Sequence, residues 1–395
     1  MSIRVCHVST VHPASDVRVF HRECCSLARA GYDVHLVIGA LRSSVQSGVH
    51  IHAIRRVRRR FWRMLVMPWV ALRSALKTNA RIYHLHDPEL MPVGFVLRWI
   101  LSKRVVYDIH EAVPRQIMSK EWLPRWARRT VAGTYRSLER LLTPGLAIVL
   151  ANEGSVGDYA ASAYLVQNYP LLNPRYVDLG NKHTKKPVPP MLVYLGGVSR
   201  QRGGDVYLRL ARRLMQRQHD FRMLIIGPHS EEYGRSLRST IESWDLGDRV
   251  TLTGRMDYDQ AMEVVSRATI GLCLLLPVPN YMSCLATKIL EYMMLGTPVL
   301  ASSFDCWRRY VEGERVGLMA DPCDIDDVVA TCERLLARKD ELLAMGRRGA
   351  AAVRERYNWA SELDNLKRCY DDLLRGERRS ERRATPKPAD QTNEG

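Results

Sequence analysis

Long apolar runs are missing from this 395-residue chain. The longest near the front, MLVMPWVAL at 64–72, has nine residues, well short of the roughly 20 that a membrane-spanning helix needs. No transmembrane helix is expected. Paired C-x-x-C spacing is also missing: the nine cysteines, Cys6, Cys24, Cys25, Cys273, Cys284, Cys306, Cys323, Cys332 and Cys369, are odd in number and sit mostly in apolar or helical stretches. Reduced, buried thiols in a cytoplasmic protein are therefore favoured over disulfides or a cysteine zinc site. The opening IRVCHVS is strand-like and leaves no room for a charged n-region, an apolar h-region and a cleavage site, so secretion is not expected. No internal repeat of solenoid length occurs.

What the chain does have is positive charge. A net +17 implies an anionic partner, with nucleic acid, a phosphate-bearing small molecule and a membrane surface all open on composition alone. Nucleic acid is not expected, because no recognised binding motif occurs and basic residues alternate with aromatics only around 55–69. There RRVRRR at 55–60 leads into Phe61, Trp62, Met64, Leu65, Trp69 and Leu72. On a helix Phe61, Leu65, Trp69 and Leu72 form one stripe that either faces a core or dips into an anionic membrane surface. Pro68 would bend that helix or mark its start.

Short β-branched runs alternate with helical patterns. IRVCHVS, DVHLVIG, VHIHAI, IYHLHD, RVVYDI and LAIVLAN read as strands, and 17–30, 90–101 and 120–142 as helices. After NKHTKKPVPP at 181–190 the alternation restarts with MLVYLG, FRMLIIG, RVTLTG, TIGLCLLL and PVLAS. The expected fold is α/β, with two doubly wound parallel-sheet domains facing each other across a cleft. Residues 1–185 form the first domain, completed by a C-terminal helix at 360–375; 186–357 form the second, and 376–395 a disordered tail.

Ligands of such sheets bind beyond the carboxyl ends of the strands, where glycine admits close approach and helix N-termini attract phosphate. Gly196 and Gly197, Gly203 and Gly204, Gly227 and Gly254 stand at these ends, with Arg200 and Arg202 at the first. A phosphate-bearing ligand is indicated. Lys288 and Glu291 lie one turn apart at the start of a helix expected near Thr287, and they would project together. Such a pair is ordinarily a surface ion pair worth about 0.2–0.5 kcal/mol.

The stretches YLGGVSRQRGGDVYLRLARRL, LIIGP, RVTLTGRMDYDQAMEVVSRATIGLCLLLP and TKILEYMMLGTPVLAS resemble, in order, the nucleotide-sugar-binding domain of the family 4 glycosyltransferases of GT-B fold. HPASDVRVFHRECCSLARAGYDVHLV, HLHDPELMPVG and VVYDIHEAVPRQI resemble the acceptor-side domain of bacterial members that build surface polysaccharides. The likeness covers about residues 3–375. It implies a retaining transferase that moves a sugar from a nucleotide-diphosphate donor to a lipid-linked or saccharide acceptor, working in the cytoplasm at the inner face of the cell membrane. Position by position, it implies that Glu291 binds the donor ribose, Arg202 the diphosphate and Lys288 a phosphate. It also implies that His110 approaches the transferred sugar, while Gly196 and Gly197 admit the donor and Gly254, Arg255 and Met256 cradle the base. No cofactor and no metal are expected.

Two positions depart from the family pattern. Ser283 stands where the first of two glutamates is usual, and Gly197 where an arginine is common. On the acceptor side the candidates are Asp16, His86 and Asp87. Asp16 equally suits an N-cap for the helix from 17. His86 and Asp87 can pair as acid and base, or simply build a turn. Asp108 shares a strand face with His110 and can orient it, whereas strict alternation turns Glu111 away. A nucleotide-sugar epimerase and a catalytically inactive basic scaffold that binds membrane or nucleic acid are the alternative readings.

Overall fold

Valine- and isoleucine-rich runs become the strands of two sheets in the computed structural model of the chain, which describes residues 2–55, 60–118, 123–159, 163–182 and 186–384. The first sheet contains β1 (Arg4–Val8), β2 (Asp33–Gly39), β3 (Ser44–Gln46), β4 (Val49–Ile54), β5 (Ile82–Leu85), β6 (Arg104–Ile109), β7 (Ala147–Leu150) and β8 (Tyr164–Leu165). Its strand order is 3-4-2-1-5-6-7-8. The second contains β9 (Met191–Leu195), β10 (Arg222–Ile226), β11 (Val250–Gly254), β12 (Ile270–Cys273), β13 (Val299–Ser302) and β14 (Gly317–Ala320), ordered 11-10-9-12-13-14. Pairing is parallel throughout the second sheet. In the first, the short β3 runs antiparallel to β4 at the edge.

The strand order reverses beside β1 and β5 in one sheet and beside β9 and β12 in the other. Crevices open at such switch points, beyond the carboxyl ends of the strands. Both faces of each sheet are packed, as a parallel sheet requires. Val5, Ile82 and Val106 meet Val19, Cys24 and Leu27 on one face of the first sheet, while Val8, Leu85 and Tyr107 meet Met67, Ala71 and Leu90 on the other.

The helix expected at 17–30 is π-helical over Val17–Cys24 and α-helical over Cys25–Arg29. The one expected at 90–101 likewise divides into Met91–Phe95 and a π-helical Val96–Ile100. Residues 120–142 yield the helix Arg125–Leu142. The last helix, Trp359–Ala384, returns to the first domain, where Trp359, Leu366, Cys369, Tyr370 and Leu374 join the core against β1 and β2. It runs on to Ala384, through part of the segment read as a disordered tail; 385–395 lie outside the described residues.

A boundary at 185 assigns 174–182 to the first domain, but the helix Pro174–Lys182 packs on the second. Tyr176 is buried in that core with Met293 and Leu295. Gly180 lies so close to the backbone around Met294 that an added Cβ would come within 2.5 Å of the Met294 carbonyl. Only glycine permits this contact, which ties the helix to the second sheet.

Candidate active site

Along β1, β5 and β6 one face changes from apolar to ionisable toward the carboxyl ends. His7 stands beside His84, and His84 beside Val106. Two residues further along the same face come His86 and Asp108, and then His110 at the mouth. Asp108 is buried and receives four hydrogen bonds. Arg18 grips it with two, Nε to Oδ2 at 3.0 Å and Nη2 to Oδ1 at 2.9 Å. His86 Nδ1 donates to Oδ2 at 3.2 Å and His110 Nε2 at 2.9 Å. Burial by itself would raise the Asp108 pKa; Arg18, and then His110 and His86, hold it well below the usual carboxylate range. Burial pushes His86 down to about 4 in spite of Asp108, so this imidazole is neutral near pH 7. Asp108 thus orients His110, as expected from their shared face.

The expected acid–base pairing of His86 with Asp87 does not form, because consecutive strand residues point to opposite faces. Asp87 Oδ2 instead accepts from Thr10 N at 2.6 Å and Ser9 Oγ at 2.9 Å, tying the 9–12 loop to the end of β5. Asp16 is the N-cap, accepting from Arg18 N and Val19 N, and it also meets His12 Nδ1 at 3.1 Å. Burial would lower the His12 pKa, but the Asp16 hydrogen bond and the charge of Asp87 raise it.

At the second switch point Gly196, with φ of 133°, and Gly197 make room for two cations. A Cβ on Gly196 would sit 3.1 Å from Lys288 Nζ, and one on Gly197 2.9 Å from Arg202 Nη1. The Lys288 ammonium lies 4.0 Å from the centroid of the Tyr194 ring, and Arg202 Nε donates to the Tyr281 hydroxyl at 3.3 Å. Burial, with Arg202 alongside, lowers the Lys288 pKa to about 8. Arg200 faces away, 3.4 Å from Asp205. Lys288 and Glu291 begin the helix Thr287–Met294, but they do not form a surface pair with each other. Glu291 Oε1 accepts from the Tyr258 hydroxyl at 3.3 Å. Burial raises its pKa against the pull of Arg22 and then Lys288. Gly254, at a φ of 71°, accepts at its carbonyl from Gly227 N and leads into Met256, which packs on the core beneath.

The two edges face each other. A cavity of about 560 Å³ is lined by His12, Asp16, Arg22 and His110 of the first domain and by Thr287 and Glu291 of the second. An adjoining cavity of about 250 Å³ is lined by His110, Glu111, Asn168, Arg202, Asn280 and Lys288. His110 borders both.

Glu111, expected to point away, also lines both cavities and accepts from Asn280 Nδ2 of the second domain at 3.4 Å. Its strand stops at Ile109, so alternation no longer governs it. Ser283 turns its hydroxyl back to the Pro279 carbonyl at 3.0 Å and lines neither cavity. Sequence reasoning also missed Arg22, which is 9% exposed and borders the larger cavity with Nε unpaired. Its only sequence signal was its place within HPASDVRVFHREC. Asp108 and His110 could share a metal with His86, but Asp108 is already saturated by Arg18 and the two imidazoles.

Two family profiles match the chain in succession. A "Glycosyl transferase 4-like domain" matches residues 17–170 and "Glycosyl transferases group 1" matches residues 178–352. The chain is 24% identical to an alpha-D-kanosaminyltransferase of Streptomyces kanamyceticus over 47% of its length and 46% of that protein. It is 23% identical to a phosphatidyl-myo-inositol mannosyltransferase of Mycobacterium leprae over 74% of its length and 73% of that protein. The first of these matches thus spans about half of its relative. Among solved structures, sucrose-phosphate synthase from Thermosynechococcus elongatus superposes with a TM-score of 0.75 at 17% identity, covering 95% of this chain and all of the other. With consecutive profile matches on both domains and a fold shared along nearly its whole length, the chain belongs to the family 4 glycosyltransferases of GT-B fold.

Proposed function

We propose that the chain is a retaining, metal-independent hexosyltransferase. In this reading it moves a sugar from a nucleotide-diphosphate donor to a lipid-linked or saccharide acceptor in cell-surface polysaccharide synthesis. The observation that carries the reading is the convergence of Arg202 and Lys288 beside Gly196 and Gly197, with His110 of the other domain bordering the same cavity. Two cations on one diphosphate do the work of a bound metal. They stabilise the charge that grows as the sugar–phosphate bond breaks.

In the transfer, the acceptor oxygen bonds to the anomeric carbon as the carbon–oxygen bond to the diphosphate breaks. The acceptor proton passes to the departing phosphate oxygen. Glu291 accepts the ribose hydroxyls, and Gly254 and Met256 flank the base. Glu111 supplies a carboxylate near the sugar that Ser283 lacks. His110, fixed by Asp108, stands on the acceptor side of the bond with Asp16, His86 and Asp87 around it.

The acceptor side also carries a candidate membrane surface. On the helix Arg60–Leu76, Met67, Ala71 and Ala75 turn inward, whereas Met64, Leu65, Val66, Trp69 and Val70 are exposed. Of the expected stripe of Phe61, Leu65, Trp69 and Leu72, Leu65 and Trp69 face out while Leu72 packs against the core, the Phe61 side chain lies outside the described ones, and Pro68 is accommodated within the helix. Arg56, Val57, Arg58 and Arg59 lie outside the described residues. In this reading the exposed face meets the cytoplasmic leaflet and brings the cleft to lipid-linked acceptor. No helix among the described residues is long and apolar enough to cross a membrane.

A thermal-shift panel of UDP-, GDP- and dTDP-sugars tests the donor assignment. A donor at about 100 times its dissociation constant adds roughly 2.7 kcal/mol of apparent stability. One base should stand out from the others, and a flat panel would count against the reading.

A further inference from the structure

Beneath the active-site face, on the same side of the sheet, lies a cluster that shares only His86 with the acceptor side. His7, His84 and His86 stack against one another, with ring centroids 4.6 Å apart for His7–His84 and 4.5 Å for His84–His86. Glu23 closes over them from the π-helical segment. All four side chains are fully buried.

Both carboxylate oxygens of Glu23 lack a hydrogen bond. Oε1 lies 3.0 Å from Arg18 Nε, but that N–H is spent on Asp108. Oε2 faces His7 Nδ1 at 3.6 Å and His86 Nε2 at 3.7 Å, and these two nitrogens share a hydrogen bond of 2.9 Å that a common ligated ion would replace. A buried carboxyl whose oxygens have the Arg18 charge nearby but no hydrogen bond is costly. The spacing suggests what it wants. Ligands at about 2.0–2.1 Å from a tetrahedral zinc ion stand about 3.4 Å from one another, and the three separations bracket that value.

We infer that His7 Nδ1, His86 Nε2 and Glu23 Oε2 form a structural zinc site, with His84 Nδ1, 4.0 Å from Oε2, as the fourth ligand. The donor set suits zinc, which takes imidazole and carboxylate in closed four-coordinate sites. The outer partners suit it too. The second nitrogen of His86 donates to Asp108, and that of His7 lies 3.2 Å from the Tyr370 hydroxyl. Such partners fix the tautomer that leaves the inner nitrogen free to ligate. The Tyr370 hydroxyl also sits 2.8 Å from His84 Nδ1, a hydrogen bond that ligation by His84 would replace. Burial keeps His7 and His84 well below their usual pKa and therefore neutral, as ligands must be. The ion would lock β1, β5 and the π-helical segment together under His110, through His86 and Asp108. It does not reach the diphosphate, so this inference stands apart from the metal-independent transfer proposed above.

The test uses the full-length chain without an added histidine tag, grown with zinc and dialysed against metal-free buffer. Elemental analysis should find about one zinc per chain. Protein grown with cobalt should show the visible absorption of a tetrahedral site. Glu23→Gln keeps the side chain's size and removes its charge, and it should weaken zinc binding at least about tenfold in competition with a chromophoric chelator. Wild-type protein that carries no zinc and shows no cobalt absorption overturns the site, leaving Glu23 as a buried neutral acid. An unchanged zinc affinity in folded Glu23→Gln also overturns it, because the metal would then lie elsewhere.

Discussion

Lys288 offers a test that depends on the sign of a pKa shift. With its pKa lowered to about 8, it is about nine-tenths charged at pH 7 and about one-tenth charged at pH 9. If Lys288 binds the diphosphate as a cation, affinity is nearly full at pH 7 and falls as pH rises through about 8. Between pH 7 and pH 9 the dissociation constant of UDP or GDP, whichever binds, should rise about tenfold, or ~1.4 kcal/mol. Of the groups around it, Cys273 is pushed up to about 12 and Arg202 stays charged, so neither titrates in this window. Titration calorimetry at constant ionic strength reads the slope. Lys288→Met should bind about 10- to 100-fold more weakly at pH 7, as expected for the loss of a charged hydrogen bond, and its affinity should not vary with pH. The ligand-free fold should show the opposite trend, gaining stability from about pH 8 to pH 10, because the unfolded chain holds a proton that the folded one has released. A flat wild-type profile, or an unchanged slope in Lys288→Met, refutes the assignment.

Three further outcomes are expected. Glu291→Gln should weaken nucleotide binding about tenfold with the fold intact, because an amide cannot accept from both ribose hydroxyls; unchanged affinity by calorimetry would remove Glu291 from the site. Asp108→Asn leaves Arg18 without its buried carboxylate and should cost about 3–5 kcal/mol in chemical denaturation, and a loss below about 1 kcal/mol would show that the network is not coupled as described. Replacing Arg55, Arg56, Arg58, Arg59 and Arg60 with Gln should abolish salt-sensitive sedimentation with anionic liposomes while nucleotide binding persists; sedimentation that survives the change would rule this segment out as the anchor.

The sequence exposes some of this structure better than the rest. Central strands were legible because runs such as MLVYL and IGLC are buried on both faces and are continuously apolar. The edge strands Ser44–Gln46 and Tyr164–Leu165 were not, since two or three residues carry no periodicity. The helix Pro174–Lys182 is polar along most of its length, and what assigns it to the second domain is a backbone contact at Gly180. In the site, Gly196 and Arg202 follow from glycines at strand ends, whereas Lys288 and Glu291, which spacing alone reads as a surface pair, follow from the family resemblance. Arg22 and Glu111 do not follow, because they matter only once the two domains face each other, and Tyr258 does not because it meets Glu291 only through the packing of two helices of the second domain. The buried cluster was hidden for the same kind of reason. His7 and His84 lie far apart in sequence and meet only through the β1–β5 register, and Glu23 looks in sequence like any polar residue on a surface helix.

The central claim is that Arg202 and Lys288 stabilise a departing nucleotide diphosphate opposite His110. It is tested most directly by following nucleoside-diphosphate release and labelled-sugar transfer to membrane extracts, for the full-length chain and for Arg202→Ala. The account predicts donor-dependent transfer by the wild-type chain. In Arg202→Ala it predicts kcat lowered about 10²–10³-fold with KM little changed, because the lost contact strengthens only as the bond to the sugar breaks. Absence of release across the donor panel, or an Arg202→Ala effect confined to KM, would contradict it.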